Sequence, residues 1–317
     1  MRIATNVATL VAGLIALAHA GCGSGSKAGA TNGPEQDAAP SGPEVGTGKT
    51  FQELMGYDWT IDPGVEAYYC VYKTLTEDLW VSDYRPKLAT GTHHVTIGYS
   101  DPGPPDGAVS SADTPSCSGV TLGTNLAFGA TRGTDAFSMP AGVGVKIPAG
   151  KQLLLSVHLL NPMQQPLSGH TGIEVVHADP TQIQHEAEII FANNLGISIP
   201  PGPSTQTGTC TLDADSTIFS LLGHMHLTGT HFTTTALAAG GAPHTLLDEN
   251  YVFDSQKFVT LEPPVLLKRG DQIQTVCTYQ NPGPDTLTFG ESTLKNEMCI
   301  SIFYRYPAVS TNFNCAQ

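Results

Sequence analysis

From Phe51 onward the chain is a succession of short β-branched and aromatic runs cut by Pro/Gly turns. No other feature restricts its fold so strongly. Ala67 to Tyr72, Leu79 to Val81, Val95 to Tyr99, Leu153 to His158 and Ile173 to Val176 form a first set of runs. Asp101-Pro102-Gly103, Pro140-Ala141-Gly142 and Pro148-Ala149-Gly150 punctuate them. A second set follows Ile197 to Gly202: Ser216 to Leu222, His231 to Thr235, Phe258 to Leu261, Ile273 to Tyr279 and Cys299 to Tyr304. No segment keeps a helical period over three turns, and 34 Gly and 23 Pro in 317 residues are far above ordinary usage. The pattern predicts an all-β chain of two tandem antiparallel β-sandwich domains, 51–193 and 194–317, each of ordinary size.

What precedes Phe51 reads differently. Met1-Arg2, the apolar stretch Val7 to Leu17 and the small-residue run Ala18-His19-Ala20-Gly21 have the three-part form of a secretory signal, placing a signal peptide over 1–21. Residues 22–50 contain no aromatic side chain and one branched aliphatic, Val45, and read as a flexible tether. The chain has seven cysteines, and an exported protein tends to pair its thiols, so six pair and Cys22 is left over. Lipidation of Cys22 would remove the odd thiol and tether the chain to a membrane; a freely secreted chain cut at Ala18-His19-Ala20 is the alternative. A net charge of −14 excludes a phosphate-neutralising nucleic-acid binder, and a single apolar run at the N-terminus excludes a multi-span membrane protein.

Four motifs carry possible metal donors. His224-Met225-His226 would put both imidazoles on one face of a strand and Met225 in the core. His93-His94 opens a strand, where neighbours face apart; joint ligation would need a twist or the use of different ring nitrogens, and one buried structural histidine beside an exposed one explains the pair as well. His158 ends an apolar strand and, if buried, needs a hydrogen-bond partner or a metal. Period two places Met298, Ile300 and Ile302 on one face and Cys299 on the other, so Cys299 reads as a disulfide partner and Met298, by itself, as packing. His231 reads as a surface or supporting residue, and His170, His177, His185 and His244 as solvated.

In this order and spacing the motifs resemble the type II copper, ascorbate-dependent monooxygenases, the group of peptidylglycine α-hydroxylating monooxygenase and dopamine β-hydroxylase. The stretches that carry the resemblance are Thr92-His93-His94, Val157-His158 with Asn161-Pro162, His224 to Gly229, Gly270-Asp271 with Cys277-Thr278-Tyr279, and Glu297-Met298-Cys299 with Tyr306-Pro307. The resemblance implies two jelly rolls and two coppers per chain. His93, His94 and His158 would hold an electron-relaying copper; His224, His226 and Met298 would hold the catalytic copper where O2 is reduced. It implies the pairs Cys70–Cys117, Cys210–Cys315 and Cys277–Cys299, with ascorbate or a similar reductant as electron donor. The expected partners are O2 and a small molecule whose unactivated C–H is hydroxylated. The physical reading agrees, because imidazoles with one thioether and no carboxylate make a soft donor set suited to copper. The peptide-amidating branch carries an Arg where this chain has Leu222, and Asn and Tyr where it has Ile300 and Ile302. The predicted pocket is therefore apolar, suited to an apolar or aromatic substrate rather than a peptide carboxylate. Competing expectations are an exported copper-binding or electron-transfer protein without turnover, a β-sandwich adhesin with incidental histidines, and a three-His zinc hydrolase, which would leave Met298 and the HxH motif unused.

Overall fold

In the computed structural model, the described residues are 49–111 and 124–309. The expected signal peptide, nearly all of the tether, Cys22, Cys117 and Cys315 lie outside them. The runs read as strands are strands, and the helical content among the described residues is one 3-10 turn, Pro180–Gln182. The fold is all-β.

Strand Gln152–Leu160 is buried at every position but the last. It reads as an unbroken apolar run because it is the central strand of a five-stranded sheet, between Glu66–Thr74 and Thr92–Ser100. Val109–Ser111 and Asn125–Thr131 complete the edges. A six-stranded sheet combines Gln52–Ile61, Leu167–His177, Leu79–Leu88, Val143–Ile147, His185–Glu186 and Phe137–Ser138. Two four-stranded sheets follow. One orders Glu188–Asn193, Ile300–Tyr306, Ser216–His224 and Val259–Leu267; the other orders Gly202–Thr211, Gln272–Asn281, Gly229–Leu237 and His244–Asn250. In strand Gln272–Asn281 the burial alternates along almost its whole length, as a strand with one covered face requires.

Strand Glu188–Asn193, which lies just before the boundary at 193/194 expected from sequence, joins a sheet whose other strands come after it. Glu188–Asn193 pairs in register with Ile300–Tyr306, from Glu188 opposite Arg305 to Asn193 opposite Ile300. Its run of buried apolar residues therefore completes the third sheet. Nor are the two apolar cores separate. The core of the first two sheets takes in Phe191, Phe219, Met298, Ile300 and Tyr304 from the second half, and the described residues form one compact unit. Phe137 stacks on Tyr304 at 4.9 Å, Phe258 lies 5.2 Å from Phe137, and the Tyr304 hydroxyl donates to the Ala127 carbonyl at 2.7 Å. Beside this seam the fully buried Arg305 guanidinium is neutralised by Glu188 at 2.8 Å and Asp213 at 2.7 Å, the pairing a buried charge requires.

Candidate metal centres

His93 and His94 lie on Thr92–Ser100, next to the strand that carries His158. Thr92 pairs with Leu159 and His94 with His158, so the register slips at His93. This extra residue is a β-bulge, and a bulge re-aims a side chain. It removes the objection that sequence neighbours face apart. The Nδ1 atoms of His93 and His94 are 3.0 Å apart, those of His93 and His158 3.0 Å, and those of His158 and His94 3.3 Å. Different ring nitrogens are not needed; all three present Nδ1.

The tautomers follow from the surroundings. His158 Nε2 lies 2.9 Å from Glu66 Oε1, and an ionised carboxylate only accepts, so Nε2 carries the proton and Nδ1 is a bare lone pair. Burial pushes the Glu66 pKa up, but hydrogen bonds from His158, Thr293 and Ser292 outweigh it and the net direction is down. Burial holds His93 down to about 2, aided by repulsion from His158, His224 and His226, and pushes His94 well below its ordinary value. Burial also lowers His158 despite Glu66. Three imidazole nitrogens aimed at one another form a group that could hold one metal ion. Donors about 2.0 Å from a common ion at tetrahedral angles stand about 3.3 Å apart.

The second group is built across longer distances in sequence. His224 is the last residue of strand Ser216–His224, while Met225 and His226 lie beyond its end, so the HxH motif is only half on a strand. Met225 is fully buried; its backbone N–H donates to the Tyr251 hydroxyl at 3.1 Å, and its carbonyl accepts from the same hydroxyl. His224 Nδ1 donates to Gln256 Oε1 at 2.7 Å, and His226 Nδ1 to the Asn296 carbonyl at 3.0 Å. Both rings therefore leave Nε2 free, the opposite nitrogen from the first group. Burial holds each at about 4.

Met298 reaches this site through its neighbour. The Glu297 carboxylate accepts from the His226 N–H at 2.8 Å, from the Thr228 N–H at 2.7 Å and from the Thr228 hydroxyl at 2.8 Å. It ties the HxH turn to the segment that ends in Met298, whose carbonyl accepts from the Tyr279 hydroxyl at 2.8 Å. His224, His226 and Met298 line one cavity of about 310 Å³, and His94 of the first group opens onto it too. Its remaining wall is largely apolar and aromatic, with Leu222, Ile300, Ile302, Phe191, Phe258 and Phe289. The second group offers the cavity two imidazoles and a thioether. Glu297, next to Met298 in sequence, is occupied by backbone donors, and Glu291 is the acidic residue of the lining. Both groups fit copper by donor type.

Glu66, Tyr68 and Gln256 were not singled out from sequence, and Glu297 was read only as part of the Glu297-Met298-Cys299 stretch, with no role of its own. Tyr68 stacks on the His158 ring at 3.9 Å and Phe253 on the His93 ring at 4.4 Å. The Gln256 carbonyl accepts from Thr131 and Thr134. His231 is bound to Asp248 and Asn250, His170 to Asp58 and Glu53, and His185 stacks on Tyr306, all away from the cavity lining; His177 and His244 are exposed. Cys277 is bonded to Cys299; Cys70 and Cys210 are also disulfide-bonded, and their expected partners lie outside the described residues. Such bonds belong to an oxidising compartment.

Residues 186–317 match the family model for the copper type II ascorbate-dependent monooxygenase C-terminal domain. The mouse DBH-like monooxygenase protein 1 is 29% identical over 199 residues, covering 56% of this chain and 32% of the relative. Peptidyl-glycine alpha-amidating monooxygenase B of Xenopus laevis is 25% identical over 299 residues, covering 86% of this chain and 33% of the relative. Dopamine beta-hydroxylase of the dog is 25% identical over 194 residues, covering 55% and 31%. The chain spans about a third of the length of these relatives.

Proposed function

Because the chain belongs to the copper type II, ascorbate-dependent monooxygenase family, we propose that it hydroxylates an unactivated C–H of a small apolar or aromatic molecule with O2 and an ascorbate-like reductant. One O2, two electrons and two protons yield the alcohol and water. The observation that carries this reading is one apolar cavity lined by His224, His226 and Met298 and by His94 of the three-histidine group. His93, His94 and His158 would hold one copper through Nδ1, and His224, His226 and Met298 the other. Bound copper would supply one-electron transfer and the activation of O2.

The protein's own part is orientation and exclusion of water. Glu66, Gln256 and the Asn296 carbonyl fix which ring nitrogen His158, His224 and His226 turn to their ions. Leu222, Ile300 and Ile302 hold an apolar substrate beside Met298 and offer a peptide carboxylate no counter-charge. Losing a charge-assisted contact costs about 1.5–3 kcal/mol, so glycine-extended peptides are poor substrates. We read the chain as exported, with Cys22 as a membrane tether.

The test is oxygen uptake by the copper-loaded protein with ascorbate, offered an aryl-ethyl compound or a glycine-extended peptide. Uptake coupled to hydroxylation of the first alone is the expected result. Efficient peptide amidation overturns the pocket assignment. Two bound coppers with no substrate-linked uptake favours an electron-transfer protein, and fewer than two overturns the metal assignment.

A further inference from the structure

The two centres lie on different sheets, yet one side chain touches the supports of both. Glu66 Oε1 accepts from His158 Nε2 at 2.9 Å and from the Thr293 backbone N–H at 3.3 Å, and Oε2 accepts from the Ser292 hydroxyl at 3.4 Å. Two residues along the same strand, the Tyr68 hydroxyl donates to the Glu291 carbonyl at 2.8 Å while its ring stacks on His158. Segment 291–293 leads directly into Asn296, Glu297 and Met298. That end is fastened to the HxH turn through the His226–Asn296 and Glu297 hydrogen bonds. Residues 291–298 are thus gripped by the first-half strand at one end and by the second centre at the other.

We propose that Glu66 is a positioning residue that couples the two centres, one carboxylate orienting His158 and pinning the segment that delivers Met298. His158 and Thr293 are both buried, so neither N–H has water as a substitute acceptor. Loss of the carboxylate frees both at once. Ordering His158 around an ion therefore favours the ordered 291–298 segment, and the reverse holds by linkage. The inference deepens the copper reading and rests on it for the metal alone; the hydrogen bonds themselves are testable without metal.

The experiment uses the full chain. Amide hydrogen exchange of segment 290–298 is measured on metal-free protein, and each centre is then titrated with copper, using the copper–sulfur signature in X-ray absorption to follow the Met298 centre. Glu66→Ala is expected to speed exchange at 291–297 at least tenfold and to weaken copper at both centres, by about tenfold or more at the three-histidine centre. Glu66→Gln is isosteric: its oxygen accepts from His158 and Thr293 and its amide donates to Ser292. It should keep exchange within about twofold of the native rate, because the acceptor that protects the Thr293 amide is retained. Should Glu66→Ala not fold, Glu66→Asp, too short to span both partners, is read by the same criteria. Native exchange at 291–297 in Glu66→Ala, or weakened copper at the three-histidine centre alone, overturns the coupling. A native chain that binds no copper overturns the metal reading instead and leaves the exchange result to judge the strap.

Discussion

Glu297 shows how much of the site hangs on one carboxylate. It is 1% exposed, and burial pushes its pKa up against the hydrogen bonds that hold it. Its worth lies in having two acceptor-only oxygens, one facing the His226 and Met298 N–H groups and the other the Thr228 N–H and hydroxyl. Glutamine has the same shape but a donor on one side. Either orientation of the amide points N–H at N–H: at Thr228 in one, at His226 in the other. The Thr228 hydroxyl can turn to accept; a backbone amide cannot. Glu297→Gln therefore leaves at least one buried donor unpaired, at about 1–3 kcal/mol, and removes a charge-assisted bond as well. We expect urea denaturation to show a loss of about 2–3 kcal/mol. Copper affinity should fall mainly at the Met298 centre, since the affected donors belong to the HxH turn. Native stability would show that the turn is held by something other than this carboxylate. Leu222, Ile300 and Ile302 illustrate the converse: no polar partner fixes them, and their role is to leave a charge unwelcome.

Among the elements, strand Ser216–His224 must place His224 in the cavity while packing flat against its neighbours. Gly223 makes that possible. A Cβ there would stand 2.4 Å from Phe232 Cδ1, and Phe232 is itself fully buried in the second core. Gly223→Ala forces the ring or the strand end to move, at about 1–3 kcal/mol for an overpacked core, and shifts His224 with it. Thermal unfolding should show the loss, and copper binding at the Met298 centre should weaken while the three-histidine centre stays native; unchanged copper affinity would show that the strand absorbs the methyl elsewhere. Strands of this kind were legible in the sequence because their cues are local. Period two, Pro/Gly breaks and an unbroken apolar run identify Gln152–Leu160 without reference to the rest of the chain. The HH, VH, HxH and EMC motifs were legible as donors for the same reason. What was not legible depends on register and on distant pairing. The slip at His93 is a property of two strands together. Glu66 meets His158 across 92 residues, and Glu297 meets Thr228 across 69. The changeover strand Glu188–Asn193 looked like the close of the first half because nothing within it names Ile300–Tyr306 as its partner.

At the scale of the molecule, five histidines, three buried and two half-buried, stand where the sheets meet, and this sets how the metal-free fold answers acid. His93, His94, His158, His224 and His226 all have folded pKa values lowered by burial, with His224 and His226 at about 4. Unfolded histidine titrates near 6.5, so below that pH the unfolded chain binds protons that the fold refuses. Stability is therefore fully present above about pH 6.5 and declines as the pH falls toward the folded values. Each histidine contributes up to about 1.4 kcal/mol per pH unit in that window. Glu186, Glu249 and Glu297, raised by burial, work in the opposite sense but take up their extra protons nearer their ordinary 4.5. Glu66, lowered, adds to the acid loss at the bottom of the range. The net expectation for metal-free protein is a loss of several kcal/mol between pH 7 and pH 5, read as a falling urea midpoint at constant slope. Replacing His224 and His226 together by Gln, which does not titrate, should flatten that decline. Copper, binding only the folded neutral ligands, should raise stability by about 2.7 kcal/mol at a hundredfold excess over its dissociation constant. A metal-free midpoint that does not move from pH 7 to pH 5 would mean that these imidazoles are open to water, and the apolar setting of the donors on which the copper reading depends would go with it.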